Sequence, residues 1–485
     1  MSRPETAQNA ANATETGAKT GPMGWALAGL SLSMLLSSLG TSIANVALPT
    51  LAEAFAASFQ QVQWVVLAYL LAITTLIVSA GRLGDIFGHR RVMLAGIAVF
   101  TAASLLSGIS PALPMLIAAR AVQGAGAAVM MALTIGLVRS AVARERTGSA
   151  MGLLGTMSAV GTALGPSLGG LLLVATGWQA IFLVNVPLGI AAFWLALKTL
   201  PADRRRDGSE RAGFDRLGTL LLAMALGAYA LATTAGGGGF GLLNAALFAA
   251  ATMAGGLFVL AQKKVASPLV RLSALREASL SASLATNALV STVMMATLVV
   301  GPFYLSRSLG LSTAMTGLVL SLGPVISALS GVPGGRIVDR LGAQPAVMIG
   351  LVTMAAGCAA LAVLPPVLGL AGYIAAIVVL TPGYQLFQAA NNTAVMSHVQ
   401  PEERGVISGL LALSRNIGLI TGASVMGAVF TLASSVRDIR TASAEAMATG
   451  MQVTFAVTAV LVGVALAIRL ASRTGVAQTP TPDAR

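Results

Sequence analysis

Charged side chains are scarce in this sequence. Only 9% of its 485 residues are Asp, Glu, Lys or Arg, whereas 56% are hydrophobic; soluble domains carry about 25% charge. A water-soluble globular fold is thereby excluded. Cysteine is almost absent: Cys358 stands alone in an apolar run, so no disulfide can form within the chain. The two histidines, His89 and His398, lack paired-ligand spacing and read as interface residues at span ends, so no metal is expected. No nucleophile–base arrangement is present, and the glycine-rich runs lie within or beside apolar stretches. Phosphate-loop chemistry is not supported. The chain is expected to be no enzyme and to use no cofactor, and none of its loops is long enough for a soluble domain.

Long apolar runs are what the sequence has. About 20 apolar residues in a helix cross a ~30 Å hydrocarbon core, and hydropathy marks fourteen such runs between residues 24 and 471, among them 345–364 and 367–397. The formal net charge of +13 could suggest nucleic acid, but its placement argues for topology instead. Arg82, Arg90, Arg91, Arg139, Arg144, Arg146, the 204–216 stretch, Lys263, Lys264, Arg336 and Arg404 fall on one side, against only Arg307, Arg437 and Arg440 in loops of the other. The positive-inside rule then gives a multi-pass protein of the cytoplasmic (inner) membrane with both termini in the cytoplasm. Its expected partners are the lipid bilayer and a small molecule, not nucleic acid, and a monomer is expected. Residues 1–22 read as a disordered cytoplasmic tail and 474–485 as a second tail.

One short pattern occurs twice, 254 residues apart: Gly81-Arg82-Leu83-Gly84-Asp85-Ile86-Phe87-Gly88 and Gly335-Arg336-Ile337-Val338-Asp339-Arg340-Leu341-Gly342. Each copy lies between apolar runs and is expected to be a tight turn joining spans. Duplicated on one side, the motif reads as a gating latch, with Arg82 and Asp85 bridging two halves. The repeat divides the chain into six-helix bundles at 23–200 and 279–473. Between them lie a charged loop at 201–216, two extra spans at 217–262 and a loop at 263–278. The extra pair, bland in Ala, Leu and Gly, reads as lipid-facing filler.

Four further stretches join the first copy and its extension His89-Arg90-Arg91. They are Asn45-Val46-Ala47-Leu48-Pro49, Arg120-Ala121-Val122-Gln123-Gly124, Gly161-Thr162-Ala163-Leu164-Gly165-Pro166-Ser167-Leu168-Gly169-Gly170 and Phe182-Leu183-Val184-Asn185-Val186-Pro187-Leu188-Gly189. On these motifs the chain resembles the major facilitator superfamily, and most of all its fourteen-span drug:proton antiporter branch. The resemblance covers nearly the whole chain. It implies an all-α integral membrane fold of two six-helix bundles with two extra central helices, working by alternating access. Gly161, Gly165 and Gly169 stand four apart and share one face that admits a close neighbour, and Pro166 removes a backbone bond. In the family this helix favours export, and its face is read as a seal that opens and closes.

All sixteen acidic residues fall in tails, loops or span ends. The branch usually has an Asp in the first span just before the Asn45–Pro49 motif; here that position is Gly40. A membrane carboxylate is the usual proton carrier, so weak or cargo-mediated proton coupling is expected, with poor transport of permanent cations. Arg120 and Arg415 are the basic residues left inside spans, read as coupling or cavity charges or as locks between helices. Gln385, Gln388 and Asn392 line one helix face, flanked by Asn391 and Tyr384, and such a stripe avoids lipid. With Asn287, Asn45, Trp64 and Tyr69 they form the candidate substrate-binding set, suited to a neutral or anionic planar solute. Two functions fit: efflux of a drug-like or metabolite compound, and uptake of a neutral or anionic nutrient such as a vitamin.

Overall fold

The computed structural model describes residues 22–141, 147–203, 215–235, 241–265, 269, 277–397, 404–435 and 442–476. Among these, every regular element is a helix: α1 (Pro22–Val46), α2 (Leu48–Ala54), α3 (Phe59–Phe87), α4 (His89–Gly108), α5 (Leu113–Ala141), α6 (Thr147–Thr176), α7 (Ala180–Leu183), α8 (Asn185–Thr199), α9 (Arg216–Thr234), α10 (Leu242–Lys264), α11 (Ala278–Phe303), α12 (Thr313–Leu341), α13 (Ala343–Met396), α14 (Arg404–Thr421), α15 (Gly427–Ala433) and α16 (Ala444–Val476). π-helical turns at Tyr304–Ser308 and Gly422–Met426 extend α11 and join α14 to α15. Thirteen of the described helical stretches are long and apolar enough to cross a membrane. Helices suit that solvent because each satisfies its own backbone polar groups.

Local chemistry sets their ends. Ser58 caps α3 by accepting from the Gln61 amide while the Gln61 side chain accepts from the Ser58 amide. Ser312 caps α12 and Asp215 caps α9. Asp203, just beyond α8, accepts from the amides of Arg90 and Arg91 and so caps α4 from a distance in sequence.

The duplicated motif corrects the expectation of a turn. Residues Gly81 to Phe87 continue α3, and the reversal is the single residue Gly88 (φ 98°). Its counterpart Gly342 (φ 83°) does the same after α12. Both occupy backbone that only glycine adopts freely, so Arg82, Asp85, Arg336 and Asp339 ride on the last helical turns.

At 54 residues, α13 would be about 80 Å long if straight, well beyond a bilayer core. Gly369 (φ 55°, ψ −130°) breaks it beside Pro365 and Pro366. The arms lie antiparallel, with Gly350 against Phe387, Gly357 against Leu380 and Gly372 against Leu364. The break falls three residues past the gap at Pro365 and Pro366 by which the sequence separates the runs 345–364 and 367–397.

Packing forms two groups. In the first, α1 packs on α6 and α8, and α5 on α3 and α4; in the second, α11 packs on α14 and α16, and α13 on α12 and α16. The groups meet along α6 and α12 and where α3 reaches α14. The extra pair is not uniform filler. α10 is largely exposed, as expected for a lipid-facing helix. α9 instead hydrogen-bonds both groups: Thr219 with Ser79 (2.7 Å), Thr234 with Trp64 (3.1 Å) and Tyr229 with Thr421 (3.1 Å). Its few polar side chains seat it in the seam between α3 and α14.

Candidate functional site

The bundle has a basic end, with Arg82, Arg90, Arg91, Lys263, Lys264 and Arg336, and a far end, with Glu53 and Arg307. Among the described residues, the ion pair and side-chain hydrogen bond that directly join the two groups lie toward the far end. Arg307 pairs with Glu53, and the Gln63 amide donates to the Ala423 carbonyl (2.9 Å). Phe59 meets Phe303 edge-to-face at 4.8 Å and Phe430 at a tilt at 5.5 Å, and Gly170 lies against Gly317. The space between the groups is thus sealed at that end.

At the basic end, Asp85 faces His89 at 3.5 Å, at the start of α4. Arg82 is half-buried and Arg336 and Asp339 are exposed. Among the described residues, no bridge between the halves joins Arg82 or Asp85. Residues 142–146, 204–214 and His398 lie outside the described residues.

Arg120 is fully buried and fully engaged. Its Nε donates to the Val65 carbonyl (2.9 Å), one terminal nitrogen to Gln123 Oε1 (2.5 Å) and the other to the Gly40 carbonyl (2.8 Å). The guanidinium lies 4.1 Å from the Tyr69 ring centre, a cation–π distance. Tyr69 in turn donates to the Ser37 carbonyl (2.7 Å). A Cβ at Gly40 would stand 2.7 Å from the Tyr69 hydroxyl. The tyrosine therefore fills the space where the family resemblance implies a carboxylate, and Arg120 and Tyr69 lock α1, α3 and α5 rather than face a cavity.

The stripe on α13 divides. Gln385 donates to the Ser327 hydroxyl and carbonyl on α12, and Gln388 donates to Tyr384 (2.9 Å). Both glutamines and Tyr384 are half-buried, and Asn392 is exposed. Asn391 is buried and accepts from Arg469 of α16. Arg469 is a correction to the inventory of membrane arginines: only 2% exposed, it lies inside the last apolar helix. Its position within the apolar run ending at 471 was the available signal.

Asn45 donates to the carbonyls of Thr41 and Ser42, and Asn287 to the Leu411 carbonyl and Ser414; each leaves a buried Oδ1 without a partner. Trp64 points away from the stripe. It lines a 1120 Å³ cavity between α3, α5 and α9, to which no residue of α11–α16 contributes. The glycine face of α6 also differs from expectation: Gly161, Gly165 and Gly169 pack on α1 within their own group, and contact with α12 comes through Gly170 and the Pro166 carbonyl. Arg415, half-buried on α14, has a buried Nε with no hydrogen-bond partner.

Residues 30–423 match the model of the Major Facilitator Superfamily. An uncharacterized transporter, YebQ of Escherichia coli, is 33% identical over 81% of this chain and 86% of its own. The riboflavin transporter RibZ of Clostridioides difficile is 30% identical over 82% and 86%, and the multidrug resistance protein Stp of Mycobacterium tuberculosis 32% over 83% and 74%. Among solved structures, a bacterial homolog of the human lysosomal transporter Spinster, inward-facing and unoccupied, superposes with a TM-score of 0.69 at 16% identity, covering 96% of this chain and all of that one.

Proposed function

Because this chain belongs to the Major Facilitator Superfamily and is a multi-pass membrane transporter, we propose that it exports a small neutral or anionic organic compound by alternating access. The observation that carries this reading is the unequal closure of its ends. Aromatic packing and the Glu53–Arg307 pair seal the far end, while at the basic end the duplicated motif makes no bridge between halves among the described residues. We take the basic end as cytoplasmic, which makes the conformation inward-facing with both termini in the cytoplasm. Counting the arms of α13 separately gives fourteen crossings, two six-helix halves at 23–200 and 279–473 with α9 and α10 between them. This supports placement in the fourteen-span drug antiporter branch, in the inner membrane. Gln385, Gln388 and Asn392 would meet cargo from the second half, and Arg82 with Asp85 would latch the basic end when the far end opens.

Uptake is the second reading. It is favoured by the riboflavin-transporting relative and by the lack of a carboxylate in the interior of any described span. The two are separated by loading everted and right-side-out vesicles with fluorescein, an anionic dye. Accumulation in everted vesicles supports export; accumulation only in right-side-out vesicles replaces it with uptake. In the same vesicles a pH gradient should concentrate a quaternary ammonium dye poorly, and strong gradient-driven accumulation would overturn the preference for neutral or anionic cargo.

A further inference from the structure

We propose that Arg415 is the anion-recognising group of the central cavity, and that the cargo is an organic anion bearing a carboxylate or other oxyanion. This rests on the transport reading above and narrows its substrate class. Apart from the arginines at span ends, three lie within the described spans, and two have protein partners. Arg120 spends its donors on Val65, Gln123 and Gly40, and Arg469 donates to Asn391. For Arg415 no hydrogen bond or ion pair is described, and its buried Nε lacks an acceptor.

Helix geometry places this side chain. At 3.6 residues per turn, Leu411, Ser414 and Gly418 form the stripe of α14 that meets α11, and Gly422 continues it into the π-helical turn: Ser414 donates to the Leu284 carbonyl, and Thr292 donates to the Gly418 carbonyl. Thr421, on one flank of that stripe, bonds Tyr229 of α9. Arg415 falls on the opposite flank. In the π-helical turn that follows α14, the Ala423 carbonyl accepts from Gln63 of α3. The arginine therefore projects between α11 and α3, which belong to different halves, and its partial exposure is exposure to the space between them. Asn287 donates to the Leu411 carbonyl and the Ser414 hydroxyl, tying α11 to the turn of α14 that precedes Arg415.

Among the described residues no protein anion stands inside a span. The described acids, Glu53, Asp85, Asp203, Asp215, Glu277, Asp339 and Glu445, all lie at helix ends or in connections. A guanidinium stays charged at accessible pH and offers a planar fork that matches a carboxylate or phosphate. A charge held in a membrane protein without an internal partner is satisfied by water or by a solute anion. Arg415 then selects against cations and for oxyanions.

The test is fluorescein binding to the purified full-length protein, read by fluorescence polarisation. Wild-type should bind saturably, and chloride should weaken binding by competition. Arg415→Gln should weaken it about tenfold or more, as expected for loss of a charge-assisted bond. Arg415→Lys should retain part of the affinity. Lys264→Gln, which removes an exposed charge outside the cavity, should bind like wild-type. Unchanged affinity in Arg415→Gln, or equal loss in the glutamine and lysine variants with a lowered unfolding temperature in both, overturns the assignment. Absence of saturable fluorescein binding by the wild-type overturns it too. Uptake of a neutral riboflavin probe by proteoliposomes in that case would show that the transport reading survives.

Discussion

Arg120 and Arg415 are both arginines within apolar helices, yet their surroundings demand different behaviour. Arg120→Met leaves the carbonyls of Val65 and Gly40 and the Gln123 amide oxygen without their donor in a dry core. Losing these buried charge-assisted bonds, with the Gln123 oxygen left unmet, costs about 3 kcal/mol, so the unfolding temperature should drop sharply. Retained stability with altered cargo charge preference would instead make Arg120 a cavity residue. Gly40 offers a second test. Because a Cβ there would crowd the Tyr69 hydroxyl at 2.7 Å, Gly40→Asp should destabilise the protein, and Tyr69→Phe should recover part of that loss when the two are combined. Additive losses in this double-mutant cycle would rule out the steric account.

At the scale of elements, α9 is the helix whose role the sequence concealed. Its Ala- and Leu-rich composition reads as lipid-facing, and the partners of Thr219, Tyr229 and Thr234 lie 140, 192 and 170 residues away, where no local pattern can point. With two bonds to α3 and one to α14, α9 should move with the first half. A disulfide from Ser79→Cys with Thr219→Cys should therefore leave transport intact, whereas one from Tyr229→Cys with Thr421→Cys should stop it. The opposite pattern would assign α9 to the second half. Other elements were legible for a plain reason. Hydropathy registers transfer from water to lipid, and each span repeats that signal over many residues. Even the reversal inside α13 shows as a dip between 364 and 367. Side-chain direction is set by packing instead. Thus Asn391 and Asn392, adjacent in sequence, separate into a buried bond to Arg469 and an exposed amide, and Trp64 turns toward α9 rather than toward Gln388.

At the scale of the whole molecule, three pairs of positions share one spacing. The motif copies begin at Gly81 and Gly335, the left-handed reversals fall at Gly88 and Gly342, and the ion pair joins Glu53 to Arg307 across 254 residues. Residues related by a repeat touch one another only on the axis that relates the halves, as equivalent residues do at the centre of a two-fold dimer. In a chain whose halves were identical, this contact would be Glu against Glu or Arg against Arg, and it would repel. The attraction at the far end thus depends on the halves having diverged, with one charge assigned to each. An axial contact has no preferred order, so Glu53→Arg combined with Arg307→Glu should transport like the parent, while either change alone should weaken closure and slow turnover. Failure of the exchanged pair would mean that the site distinguishes its two sides. Such a residue pair records broken symmetry: identical ancestors can pack together, but only dissimilar descendants can attract each other across their own axis.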